Sequence, residues 1–154
     1  MADIHITDFY RDAAKALNLI YGSFPRLITV FVEDICGPDS PDEFGLHSPR
    51  HQACLATLLW LAAEGYIRYQ DTIRQEAIDQ VTLTHKGFTL LSAQLSCRSA
   101  LAEKITHINL QLEGNGGQDA PAGDFSPAID LLRAALKTRA SSAIDTVMQV
   151  LLSR

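Results

Sequence analysis

No apolar run in this 154-residue chain approaches the roughly 18 residues of a membrane span, so its 47% hydrophobic residues belong to a core and no membrane partner is expected. The opening "MADIHITDFYRDAAKAL" has acids early and no apolar block ending in small residues, which argues against a secretory leader. Cys36, Cys54 and Cys97 are odd in number and scattered, with no CxxC pair. They read as reduced thiols acting as small hydrophobes in a cytoplasmic protein. There is no Gly-rich phosphate loop, GxSxG elbow, HExxH or paired-carboxylate motif, and the lone "GNGG" belongs to a linker. Neither an enzyme nor a cofactor is expected. Lys and Arg are nowhere clustered, and no internal repeat stands out. Residues 1–45 hold three basic residues against eight acids, 46–98 hold five against four, and 99–154 hold five against six. The middle segment is the least acidic without being basic, which weakens any case for phosphate binding before a fold is considered.

What is there reads as helices around a small sheet. Thr7 as cap and Asp8 in the first turn open a helix over 8–21, carried by Phe9, Ala13, Ala16, Leu17 and Ile20 and stopped by Gly22. Ile28, Thr29 and Val30 favour a short strand, and "VEDIC" one or two helical turns. Residues 37–47 are a loop. Ser48-Pro49 is a cap followed by the residue that tolerates the first helical position, and the helix then runs to Gly65. Its expected inner stripe is Cys54, Leu55, Leu58, Leu61 and Ala62. Gln52, Ala53, Ala56, Thr57, Leu59, Trp60, Ala63 and Glu64 form the opposite face. Alternation at 66–69 and 81–83 around "IRQEA" predicts a β-hairpin. Thr84 caps a further helix carrying Phe88, Leu91 and Leu95, extended to Leu101, Ile105 and Ile108. Residues 113–126 read as a flexible linker, and Ser126-Pro127 starts an amphipathic helix to the end, with a break near Ser141-Ser142. The domains are thus 1–112, the linker 113–126, and 127–154. The apolar residues Ile144, Val147, Met148, Leu151 and Leu152 on a tethered helix predict a homodimer, with 127–153 or the first helix as its seam.

"LLWLAAEGYIRY" and "VTLTHKGFTLL" resemble the exits from the recognition helix and from the wing of the winged helix-turn-helix family, over residues 8 to about 98. The expected fold class is mainly α with a small β-hairpin or three-stranded sheet: a winged helix with additional N- and C-terminal helices. The resemblance implies a positive φ at Gly65, Ile67 and Leu83 on the inner face of the sheet, and Thr84 as a helix cap. It also implies a DNA-binding, dimeric transcriptional regulator whose helix 48–64 enters the major groove. By position, Arg50, His51, Gln52 and Thr57, with Ala53 and Ala56, would lie near bases, while Arg68, Arg74 and Gln75 belong to the wing.

Two features depart from that pattern. The loop before the long helix has eleven residues where a DNA reader has about three or four. The helix also offers Ala53, Ala56, Leu59, Trp60 and Ala63 where readers carry polar side chains. The alternative is a protein–protein interaction module contacting its partner through Leu59, Trp60 and Ala63. Trp60 reads as core or as a partner hot spot. His85-Lys86-Gly87 reads as an ordinary helix start or a phosphate contact. His47 and His51 have a spacing that zinc sites use. His47 precedes the cap, however, and no carboxylate or Cys set nearby in sequence completes a tetrahedron, so no metal is expected.

Overall fold

The computed structural model describes residues 3–96 and 125–153. The chain divides into two compact units, residues 1–88 and 89–154. It is mainly helical with a small antiparallel sheet, as its sequence pattern implies.

The first unit begins with α1 (Ile4–Ser23), followed by β1 (Ile28–Phe31) and α2 (Val32–Cys36). The helix starts a turn before the expected Thr7 cap because Ile4, His5 and Ile6 contain no breaker, and Ile6 N–H already donates to the Asp3 carbonyl. It runs through Gly22 and ends at Phe24, the residue before Pro25, where the proline ring disfavours helical backbone. α3 (Pro49–Ala63) is followed by β2 (Ile67–Arg68), β3 (Asp71–Ile73), β4 (Ala77–Leu83) and α4 (His85–Ser92). β4 is central. β1 pairs with it on one side, and β2 and β3 pair with it on the other. Gln80, at φ +52°, is a bulge in β4 where the β1 register shifts, and the partner edge is likewise interrupted between β2 and β3. Ala13, Leu17 and Ile20 of α1, Leu58 and Leu61 of α3, and Ile67, Ile78 and Val81 of the sheet are all buried.

The hairpin tip is strained. Arg74 and Gln75 sit at φ +47° and +62°, the left-handed pair that a tight primed turn needs and that Asn-Gly would adopt more easily. Glu76 N–H closes the turn onto the Ile73 carbonyl at 2.7 Å.

The two quoted motifs meet where α3 ends and α4 begins. Gly65 turns the chain at φ +82°. The Thr84 hydroxyl lies within hydrogen-bond distance of the Gly65 and Tyr66 carbonyls, and accepts from Gly87 N–H at 3.1 Å. A Cβ at Gly87 would lie 2.0 Å from the Tyr66 carbonyl oxygen. Lys86 Nζ donates to the Glu64 carbonyl at the exposed end of α3 and lies 4.3 Å from the Tyr66 ring centre.

In the second unit α4 does not continue to Leu95. That residue lies in β5 (Gln94–Ser96), which pairs antiparallel with β6 (Phe125–Pro127). Ser126 is therefore a strand residue opposite Leu95 and not a helix cap. The expected helical positions Leu101, Ile105 and Ile108 lie outside the described residues, as does the linker up to residue 124. The tail is two helices, α5 (Ala128–Thr138) and α6 (Ser141–Leu152), with the break just before Ser141-Ser142, close to where it was expected. Arg139 at φ +56° breaks it, and the Thr138 hydroxyl accepts from Ala140 N–H across the corner. Leu132 and Ala135 of α5 and Ile144, Val147, Met148 and Leu151 of α6 are buried within a single chain. Of the five apolar residues behind the dimer expected through the tail, Leu152 alone stays half-buried.

Glycine substitutions separate packing from backbone freedom. Gly22→Ala, with open space around its Cβ, is expected to raise stability by up to about 1 kcal/mol. Gly87→Ala is expected to cost about 2–3 kcal/mol. Chemical denaturation of the two variants checks both, and equal midpoints would contradict the packing described at Tyr66.

Candidate functional site

α3 is fastened at its start and divided lengthwise into two faces. Ser48 caps it, accepting from His51 N–H at 3.3 Å, and Pro49 takes the first helical position. The inner face is His51, Cys54, Thr57, Leu58 and Leu61, one residue round from the expected stripe. Thr57 belongs inside because its hydroxyl bonds the Ala53 carbonyl at 3.0 Å, which satisfies it in apolar surroundings. Leu59 is half-buried. Gln52, Ala53, Ala56, Trp60, Ala63 and Glu64 face outward.

This geometry rearranges the residues assigned to DNA. His51 and Thr57 are 1% and 5% exposed, so neither reaches a base edge. Arg50 turns back to α1, where its guanidinium makes a bidentate pair with Asp12 at 2.6 and 2.5 Å. Asp12 is 1% exposed. Hydrogen bonding to Asp12 holds the Arg50 guanidinium charged, its pKa above the ordinary value despite partial burial. Gln52 is exposed but donates its amide to the His47 carbonyl at 2.8 Å. Arg68, Arg74 and Gln75 are exposed on the hairpin. Acidic side chains Glu33, Asp34, Asp42 and Glu43 are exposed on α2 and the following loop.

Trp60 anchors the outer face. Its ring meets Phe9 edge-on at 5.1 Å and lies 6.2 Å from Tyr66, yet the residue stays 38% exposed. It is neither full core nor fully exposed: one side is packed and the other is presented beside Ala53, Ala56 and Ala63.

A second cluster lies at the opposite end of α3, and sequence spacing alone did not show it whole. Asp39, His47 and His51 bring a carboxylate oxygen and two ring nitrogens within 4.8 Å of one another. The missing carboxylate is therefore Asp39, eight residues before His47 and brought back by the 37–48 loop. Asp42 shapes that loop, its Oδ1 accepting from the N–H groups of Phe44 and Leu46, both at 2.9 Å. The imidazoles stack at 3.9 Å with a 10° tilt. His47 Nδ1 is 2.8 Å from Asp39 Oδ2. His51 Nε2 is 2.9 Å from the Gln75 carbonyl, tying the buried start of α3 to the strained hairpin tip. The Asp39 carboxyl is held down to about 2, chiefly by hydrogen bonding from Ser48, against the cost of desolvation, with His47 also lowering it. Burial pushes the Cys54 thiol well up, in keeping with an inert core cysteine.

Comparison of the chain with known protein families, curated proteins and solved structures finds no match.

The Asp12–Arg50 pair is asymmetric, and so are its substitutions. Arg50→Met strands a buried carboxylate and is expected to cost about 3–5 kcal/mol. Asp12→Asn leaves a guanidinium that is already about one-third exposed and can turn to water, so it is expected to cost less than half as much. Urea unfolding of both variants checks the order.

Proposed function

We propose that residues 3–88 act as a winged-helix protein-docking module whose contact surface is the outer face of α3. What supports the winged-helix reading is the element order, together with the spatial meeting of the two motifs that carry the resemblance. The single observation that carries the docking reading is what α3 turns outward: Ala53, Ala56, Ala63 and the exposed edge of Trp60, with Arg50 withdrawn onto Asp12. A helix meant for a DNA groove would present cations and amides there. A strip of small side chains beside one aromatic anchor suits an apolar protein surface instead, since aromatic anchors in packed pockets dominate such interfaces.

DNA contact by a dimeric regulator is the second reading, favoured by the exposure of Arg68 and Arg74 on the hairpin. Two such phosphate contacts would give a slope of log affinity against log salt of about −2 per subunit, or about −4 for a dimer.

The two readings part in one pair of measurements. Titration of a random DNA duplex at low and moderate salt is expected to show no saturable binding. Trp60→Ala and Ala56→Arg are expected to fold and yet to weaken a purified partner by about 2 kcal/mol, roughly 30-fold. Saturable duplex binding with that salt slope, lost in Arg68→Ala and Arg74→Ala, would overturn docking in favour of DNA.

A further inference from the structure

We propose that Asp39, His47 and His51 form a binding site for one divalent first-row transition-metal ion, with zinc as the ion of best fit. The site is separate from the outer face of α3 and does not depend on how that face is used.

His51 carries the argument. It is 1% exposed, and its Nε2 lies 2.9 Å from the Gln75 carbonyl, which can only accept. Nε2 therefore bears the hydrogen, and in the neutral ring Nδ1 bears the lone pair. That Nδ1 is buried without a hydrogen-bond partner and points into the cluster, 3.7 Å from Asp39 Oδ2. The Asp39 carboxylate is held in place from the other side, its Oδ2 accepting from Ser48 N–H at 3.3 Å. Two electron-rich atoms thus face one another in a nearly dry place, an arrangement that calls for a cation between them. His47 Nδ1, 2.8 Å from the same carboxylate oxygen, supplies a third donor.

The distances are close to what an ion needs. Bonds of about 2.0–2.2 Å at tetrahedral angles place donor atoms about 3.3–3.5 Å apart. The two observed separations from Asp39 Oδ2 bracket that range. The Gln75 carbonyl already supplies the outer hydrogen bond that fixes a ligating imidazole in its tautomer and orientation. His51 therefore needs no movement. His47 does: the two rings are nearly parallel, so their Nδ1 lone pairs do not converge. Loading the site turns the His47 ring out of the stack, shifts its N–H from Nδ1 to Nε2, and replaces one hydrogen bond with two metal bonds. His47 stands on the loop before the cap and not on the helix, so its ring can turn without unwinding α3. Two imidazoles and one carboxylate suit zinc, cobalt or nickel better than calcium or magnesium, and three protein donors leave a fourth position for water.

The test is calorimetry of the chelator-stripped full chain with Zn2+, repeated with Co2+ to read its visible absorption. One equivalent is expected to bind, raising the melting temperature as ligand linkage requires. Asp39→Asn and His47→Gln are each expected to lose at least roughly tenfold in affinity. His5→Ala and His85→Ala are expected to bind as the parent does. Circular dichroism of each variant confirms that it is folded. Absence of saturable binding in the parent chain, or binding left intact in both Asp39→Asn and His47→Gln, overturns the site.

Discussion

The first unit turns on the contact between Gly87 and the Tyr66 carbonyl. The exit from α3, the first strand of the hairpin and the entry to α4 all pass through it, and any side chain larger than hydrogen at residue 87 would push them apart. Thr84 bonds both sides of this junction, so one hydroxyl serves the end of one helix and the start of the next. β4 must therefore return to within a few ångströms of where β2 departs, and the pairing of Ile67 with Leu83 follows from that.

α3 carries the functional consequences because its two faces and its two ends differ. Its outer face presents alanines and one tryptophan edge, while its inner face is core. Its first turn holds Arg50 against α1 and His51 against the hairpin tip. The same helix thus positions the exposed alanine–tryptophan strip, the buried ion pair and the histidine cluster. Arg50 shows why residue type is a poor guide to role. Asp12, thirty-eight positions earlier, decides where the guanidinium goes.

Much of the fold was legible in the chain because its signals are local. Ser48-Pro49, the positive φ at Gly65, the Thr84 cap and the alternation around Ile67 and Leu83 each follow from a few neighbouring residues. What could not be read was long-range. Leu95 and Ser126 look helical in their own windows, and only their pairing with each other makes them strands. Thr57 looks polar until its hydroxyl finds the helix's own carbonyl. Asp39 looked like one more loop acid because nothing local says that the loop returns it to His47 and His51. The site residues suffered most, since exposure, unlike helicity, is set by what packs on the other side.

The short β5–β6 pairing sets Leu95 opposite Ser126, and just beyond it Ala128 N–H, one of the donors that a helix leaves without an intrahelical partner, bonds the Ala93 carbonyl at 2.9 Å. The ladder thus runs on into the first turn of α5, and strand pairing closes off a helix start for which no side chain supplies a cap.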